Sequence, residues 1–199
     1  MVSAFSTRLF HDYASSLQAE IELLKDFKLP SFESWVIDWK QSRAIWEMPG
    51  KRKQWSQIKE CGEMIFRRNL PVVYYFTCAS ENAKPIYESF VLQKAKDTHN
   101  ISSIPGNFKG GDCIYVGSRK SGVHGRMIQH LGFPEKCGVG ALYLYHVTRN
   151  MPFIPAITFH YATLLPKYIN LTKHIEAVLQ DELKPFIGKR SIEKMEKLS

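Results

Sequence analysis

The sequence predicts an α/β fold in which a small, mainly antiparallel sheet is flanked by helices and preceded by an N-terminal helical extension. Runs rich in β-branched and aromatic residues, at 71–76 and 112–116, are typical of strands. Apolar residues at helical spacing recur before residue 68 and again after residue 123. A chain of 199 residues is long enough for one sizeable core and a small extension.

The pattern divides the chain into three segments. We expect a helical extension at 1–68, a core at 69–190 with an insertion at about 79–111, and a tail at 191–199. In the extension, apolar spacing indicates a first helix at 14–27, a second that begins near Ser31 and carries three tryptophans, and a third at 51–68. The tryptophans of this region suit either the core of a helical bundle or a surface that stacks on bases.

In the core, strands are expected at 72–78, 112–116, 141–147 and 157–164, and helices at 81–96, 123–131 and 171–183. Residues 97–111 are expected to form a loop, since they are rich in glycine and polar residues. The segment at 157–164 fits a strand or the start of a helix, and we favour the strand.

The bulk properties indicate a basic cytoplasmic protein. The chain has 27 basic and 19 acidic residues, a net charge of +8, which favours polyanionic partners. No apolar run approaches the ~20 residues that span a bilayer, and the N-terminus lacks the apolar core of a signal peptide. We therefore expect no membrane partner. The four cysteines form no CxxC pair and match no zinc site, which predicts reduced, mostly buried thiols.

One group of residues has the composition of a site for a phosphate. Tyr115 ends an apolar strand just before Gly117, and Tyr74 lies in the preceding apolar strand. Arg126 and His130 are four residues apart, so they share one face of a helix. An arginine can contact a phosphate through two nitrogens, and a histidine can orient a water, accept its proton or bind a tyrosine. Each residue taken alone is also compatible with an ordinary structural role.

Glu176 is the candidate metal ligand. It stands among apolar residues of a predicted helix, where a carboxylate is rare unless it is paired or holds a metal. One carboxylate with waters and phosphate oxygens suits Mg²⁺. The alternative is a surface glutamate with contacts one helical turn away.

Together these elements resemble the GIY-YIG nuclease superfamily. Residues 72–74 resemble its first motif and residues 115–117 its second. Arg126 stands where the family places its helix arginine, and His130 where many members also have a histidine. Glu176 resembles the metal-binding glutamate. The resemblance covers about residues 70–190.

The chain also departs from the family pattern. Val72 stands in place of the first-motif glycine, and the long separation of Tyr74 from Tyr115 implies an insertion between the first two strands. Alternation places only one of Tyr74 and Tyr75 on the catalytic face, and we choose Tyr74. Gly188 stands where the family often has an asparagine. We therefore expect Lys189 or Arg190 to contact a phosphate in its place.

The resemblance implies an endonuclease that depends on Mg²⁺ or Mn²⁺ and hydrolyses DNA to 5′-phosphate and 3′-hydroxyl ends. Tyr74 and Tyr115 would organise the attacking water and its proton, assisted by His130. Arg126 would neutralise the developing charge, and Glu176 would hold the metal at the leaving oxygen.

Within the family, a compact chain with its own insertion is closest to restriction-type members. Homing or repair nucleases, and a non-cleaving nucleic-acid-binding protein of the same fold, are the alternatives. The expected partner is double-stranded DNA, and a palindromic target would imply a two-fold homodimer. The expected DNA contacts are Arg119, Lys120, Lys189 and Arg190.

Overall fold

The computed structural model describes residues 4–40, 44, 69–96, 101–132 and 140–188. Its strands are β1 (Glu33–Val36), β2 (Val72–Cys78), β3 (Cys113–Arg119) and β4 (Ile157–Thr163). Its α-helices are α1 (Ala4–Lys25), α2 (Ser80–Ala95), α3 (His124–Leu131), α4 (Leu144–Thr148) and α5 (Thr172–Leu183). A 3-10 helix, Pro166–Leu171, leads into α5. None of these described helices is long and apolar enough to cross a membrane.

The strands form one antiparallel sheet in the order β1-β4-β2-β3. The fold class predicted from the sequence is therefore confirmed. β2 lies in the interior of the sheet, between β4 and β3. Val73, Tyr74 and Phe76 of this strand are all buried, because helices cover both faces of the sheet. The register places Tyr74 opposite Gly117 of β3 and Tyr161 of β4.

Two apolar clusters pack on the opposite faces of the sheet. On one face, α2, α3 and α4 pack over Tyr74 and Phe76, with Phe90 and Met127 among the buried residues. On the other face, α5 and the 3-10 helix pack over Val73 and its neighbours. The sheet thus separates the face that carries α3 from the face that carries α5.

The prediction of a helix that begins near residue 31 is wrong for Glu33–Val36, because these residues form strand β1 and pair with β4. The backbone is helical again at the buried Trp39, but before it Trp35 is half-buried and Ile37 is buried, whereas Val36 between them is exposed. This is a period of two, the spacing of an extended chain rather than of a helix. These residues therefore add an edge strand to the same sheet that contains the core strands.

The strand predicted at 141–147 is also wrong. After an isolated bridge between Ala141 and Ile101, the chain forms the short helix α4, and the Thr148 hydroxyl donates to the Leu144 carbonyl at 2.8 Å. All residues from 141 to 148 are buried. The alternation of residue types that predicted a strand here therefore does not correspond to one buried and one exposed face.

The other core elements agree with the prediction, within a few residues at their ends. In the insertion, the helix predicted at 81–96 is observed as α2, Ser80–Ala95. Several predictions lie outside the described residues: the helix at 51–68, the tail at 191–199, and the DNA contacts Lys189 and Arg190.

The cysteines of the described sheet are free and buried, as expected. Burial, with the negative charge of Asp112, raises the pKa of Cys78 and of Cys113 to about 12. Both thiols are therefore protonated at neutral pH, and neither is suited to nucleophilic chemistry.

Replacing Phe159 by alanine should destabilise the fold strongly. Phe159 is fully buried on β4, and loss of such a ring costs about 3–5 kcal/mol. Val178, which is 62% exposed on α5, provides the control, since Val178→Ala should change stability by less than about 0.5 kcal/mol. Urea unfolding measures both, and equal effects would contradict the placement of the core.

Candidate active site

Tyr74 and Tyr115 come together across Gly117. Their ring centroids are 6.4 Å apart, and Gly117 lies opposite Tyr74 in the ladder between β2 and β3. A Cβ at Gly117 would lie 2.6 Å from both Cζ and Oη of Tyr74 and 2.8 Å from the Tyr115 ring. Glycine is required here because a side chain would occupy the space that the two rings fill.

The Tyr74 hydroxyl is held by His130 of α3. Tyr74 Oη lies 3.0 Å from His130 Nε2, and both residues are fully buried. The backbone N–H of Leu142 donates to His130 Nδ1 at 3.2 Å. In a neutral imidazole only one nitrogen carries a proton. The hydrogen-bond network therefore assigns that proton to Nε2, so that His130 donates to Tyr74.

Burial sets the protonation states of this pair. Burial raises the pKa of Tyr74 far above its usual value, and the neighbouring Tyr115 raises it further, whereas Arg126 lowers it. Burial also lowers the pKa of His130 well below 6.5, and the charge of Arg126 acts in the same direction. At neutral pH the site therefore contains a protonated phenol and a neutral imidazole.

Arg126 provides the positive charge of the cluster. Its Nη1 donates to Gln129 Oε1 at 2.9 Å, and its Nη2 donates to the Gly140 carbonyl. Burial by itself lowers the pKa of Arg126, but its interactions with Tyr74 and Tyr115 raise it by more. These anchors hold a guanidinium beside both phenol oxygens, in a half-buried position where charge is weakly screened.

Glu176 of α5 is buried, with 8% of its surface exposed. Its Oε2 accepts hydrogen bonds from Ser118 Oγ at 2.5 Å and from Lys173 Nζ at 2.7 Å, and its Oε1 accepts from Gln180 at 3.4 Å. Ser118 directly follows Gly117 on β3. The Glu176 carboxylate is therefore tied to the strand segment that carries the tyrosine cluster.

A cation at Glu176 would be bound through this single carboxylate, whose two oxygens already accept hydrogen bonds. In the parts of the chain that the structure describes, no group of three or more His, Cys, Asp or Glu side chains could hold a metal. Mg²⁺ commonly takes one carboxylate and completes its shell with waters and phosphate oxygens. The Lys173 ammonium already lies on Oε2, but its side chain is 69% exposed. Only the Lys173 end of this pair is exposed, since 11% of the Glu176 side chain is accessible.

Tyr74 and Tyr75 lie on opposite faces of the sheet. The Tyr75 ring stacks on His160, with centroids 4.4 Å apart, and makes an edge contact with Phe32 at 5.0 Å. Tyr74 is thus the tyrosine that shares its face with His130.

Gly188 lies beside Tyr115. The segment that follows α5 runs along the outer edge of β3, where Ile187 N donates to Ile114 O at 2.9 Å. Gly188 has a φ of +112°, and a Cβ there would lie 3.4 Å from the Tyr115 ring. An asparagine, or any other residue with a Cβ, would be strained at this position.

Arg119 and Lys120 are exposed at the end of β3. With Ser118, Lys173 and two neighbouring hydroxyl residues they line a pocket of about 410 Å³. Positive charge therefore borders the Glu176 carboxylate on its solvent side.

The structure adds functional candidates that the sequence analysis missed. Ser118 binds Glu176, while Gln129 and the Gly140 carbonyl anchor Arg126. Side chains alternate between the two faces along β3, so Ser118, which follows Gly117, points to the face opposite the tyrosine cluster. This alternation is the sequence signal that could have indicated a role for Ser118 on that face. The role of Gly140 depends on a tertiary contact and has no signal in the sequence.

Comparison with known protein families, with curated proteins and with solved structures gives no match. Two hydroxyls, a guanidinium and a neutral imidazole converge on one face of the sheet, and the Glu176 carboxylate binds Ser118 on the opposite face. This set can bind an oxyanion and orient a water.

Replacing Gly117 by alanine should disrupt the tyrosine pair, because the new methyl would overlap both rings. We expect a loss of about 1–3 kcal/mol in stability and a changed tyrosine signal in near-ultraviolet circular dichroism. Gly125→Ala is the matched control, since a Cβ at Gly125 on α3 meets nothing within 4 Å. That variant should be as stable as the wild type, or more stable by up to about 1 kcal/mol. Equal losses in the two variants would contradict the packing described.

His130 should make stability depend on pH. Its pKa is lowered in the folded protein, so the unfolded chain binds a proton first as the pH falls below about 6.5. Stability should therefore fall from about pH 7 towards the folded pKa, by at most about 1.4 kcal/mol per pH unit for this residue. His160, whose pKa burial also lowers, adds a contribution of the same sign.

Urea unfolding across this pH range should give a smaller slope for His130→Gln than for the wild type. His11→Gln, which changes an exposed histidine of α1, should leave the slope unchanged. A His130→Gln slope equal to that of the wild type would show that His130 titrates as it does in the unfolded chain.

Proposed function

We propose that the chain is a Mg²⁺-dependent DNA endonuclease of the GIY-YIG type, which hydrolyses phosphodiester bonds to 5′-phosphate and 3′-hydroxyl ends. The observation that carries the proposal is the convergence of Tyr74, Tyr115, Arg126 and His130 in one cluster. These residues come from two strands and a helix, and their side chains meet around Gly117.

The tyrosines orient the attacking water and handle its proton. The Tyr74 oxygen receives a hydrogen bond from His130 and interacts with Arg126. Its own proton then points away from the His130 imidazole. Tyr115 is the less buried of the two and is the more accessible to solvent. Arg126 stabilises either phenol as it gives up a proton.

Arg126 also stabilises the charge that develops on the phosphate oxygens during in-line attack. Its anchors fix the guanidinium before the substrate arrives, so little reorganisation is needed in the transition state. His130 acts as a positioning residue: with Nε2 protonated it donates to Tyr74 and holds the phenol in place.

Glu176 is the residue that would hold the metal, with Ser118 fixing the orientation of its carboxylate. When bound, Mg²⁺ (or Mn²⁺) supplies Lewis-acid stabilisation of the leaving 3′ oxygen. Lys173 must leave Oε2 if a cation takes that oxygen.

The proposed substrate is double-stranded DNA. The net charge of +8 and the basic pocket that contains Arg119 and Lys120 support a polyanionic partner. The insertion at about 79–111 within the core favours a restriction-type enzyme. If the target is palindromic, two copies of the chain would act as a two-fold dimer.

A second candidate is a nucleic-acid-binding protein that does not cut. The observation that favours it is the ion pair between Lys173 and Glu176 at 2.7 Å, which places an ammonium where a metal ion would bind. In this case the same cluster would bind a phosphate without activating water.

Arg126→Ala and Glu176→Gln should each abolish cleavage of supercoiled plasmid in Mg²⁺, with rate losses of at least about 10²-fold. Arg126→Ala removes the charge beside the phosphate, and Glu176→Gln keeps the shape of the side chain but removes the metal-binding charge. The controls are Arg149→Ala and Glu182→Gln, which change exposed residues of α4's C-terminal end and of α5.

Discrete fragments from the wild type and both controls, with intact plasmid from the site variants, would support the proposal. Cleavage by Glu176→Gln at the wild-type rate would contradict it. A wild type that retards DNA in a gel but leaves it uncut would favour the non-cleaving protein.

A further inference from the structure

A pocket of about 360 Å³ lies beside Tyr115, outside the set of proposed catalytic residues. The loop before β3 forms one wall, and the segment after α5 forms the other. Its volume is within the range of about 300–1,000 Å³ found for ligand pockets. Its lining includes Ser103, Asn107, Lys109, Lys184, Phe186 and Gly188.

The charge of this pocket suits an anion. Lys109 and Lys184 contribute two ammonium groups, and no carboxylate is among the lining residues. Both lysines are exposed, and among the described residues neither is in an ion pair with a carboxylate. The Asn107 amide and the Ser103 hydroxyl add hydrogen-bond donors. Lysine binds a phosphate as a point charge.

The pocket adjoins the tyrosine cluster through Gly188. Gly188 N donates to Ser103 O at 2.7 Å, which joins the two walls. A Cβ at Gly188 would lie 3.4 Å from the Tyr115 ring. A ligand group bound in this pocket would therefore lie close to a ligand group that contacts Tyr115.

A second cationic pocket lies at the other end of the same strand segment. It is lined by Arg119, Lys120 and Lys173, together with Ser118. From Tyr115 to Ser118 the chain advances three residues, or about 10 Å in an extended strand. Positive charge therefore lies near both ends of β3, and at the Lys120 end it includes Lys173 from the face of the sheet that carries α5.

We propose that Lys109 and Lys184 form a subsite for a phosphate of the bound nucleic-acid strand that neighbours the phosphate at Tyr115. The strand would run along β3, from the pocket at Lys120 to the pocket at Lys109. This inference rests on the proposed function for the nature of the ligand, and it assigns a binding role to the insertion at 79–111.

The test is duplex binding without divalent cations, so that affinity is measured apart from cleavage. A double-stranded oligonucleotide in EDTA is titrated with wild type, with Lys109→Ala/Lys184→Ala and with Lys84→Ala/Lys94→Ala at several salt concentrations. Lys84 and Lys94 are exposed lysines of α2, and their replacement gives the same change in net charge. Unfolding midpoints verify that all three proteins are folded.

Each phosphate contact contributes about 1 to the slope of log K against log salt concentration. The Lys109/Lys184 variant should therefore bind more weakly, with a slope smaller by about 2, and the control should keep the wild-type slope. An unchanged slope in the Lys109/Lys184 variant would overturn the subsite even if the wild type cuts DNA. An equal decrease in the control would also overturn it, because the effect would then follow from net charge alone.

Cleavage with Mg²⁺ separates this inference from the proposed function. If the slope falls as expected but the wild type cuts no DNA, the subsite stands and the nuclease proposal fails. If the wild type does not bind the duplex at all, both fail.

Discussion

The candidate site depends on one missing side chain. Gly117 lies opposite Tyr74 in the sheet, and its hydrogen leaves the space in which the Tyr74 and Tyr115 rings meet. With the rings in this position, His130 reaches the Tyr74 hydroxyl and Arg126 lies beside both phenols. A backbone constraint on β3 therefore determines where the polar groups of two strands and one helix converge.

Burial determines the protonation states of the residues that this constraint brings together. Removing Tyr74 and His130 from water keeps the phenol protonated and the imidazole neutral, so Arg126 supplies the positive charge beside the phenols. A charge in such surroundings interacts more strongly with a phosphate than it would in water. Buried polar groups destabilise a fold unless their hydrogen bonds are made, and the bonds to Leu142, Gln129 and Gly140 meet that need.

Local patterns in the sequence predicted the parts of this fold that local geometry determines. The helical spacing of Arg126 and His130 was enough to place them on one face of α3. Local patterns failed where tertiary packing determines the structure. Trp35 belongs to an edge strand because its backbone pairs with β4, and Leu144–Thr148 form a helix within the fully buried run 141–148. Of the site, the sequence indicated the chemical groups but not Ser118, whose bond to Glu176 joins elements distant in the chain.

The central claim is that the Tyr74 hydroxyl takes part in hydrolysis of a phosphodiester. The most direct measurement compares the cleavage rates of Tyr74→Phe and Tyr75→Phe on end-labelled duplex DNA with Mg²⁺. The two variants remove the same oxygen from adjacent residues on opposite faces of the sheet. The account predicts that Tyr75→Phe cuts like the wild type, giving 5′-phosphate ends, and that Tyr74→Phe loses about 10²-fold or more. Equal rates for the two variants, or a loss confined to Tyr75→Phe, would contradict it.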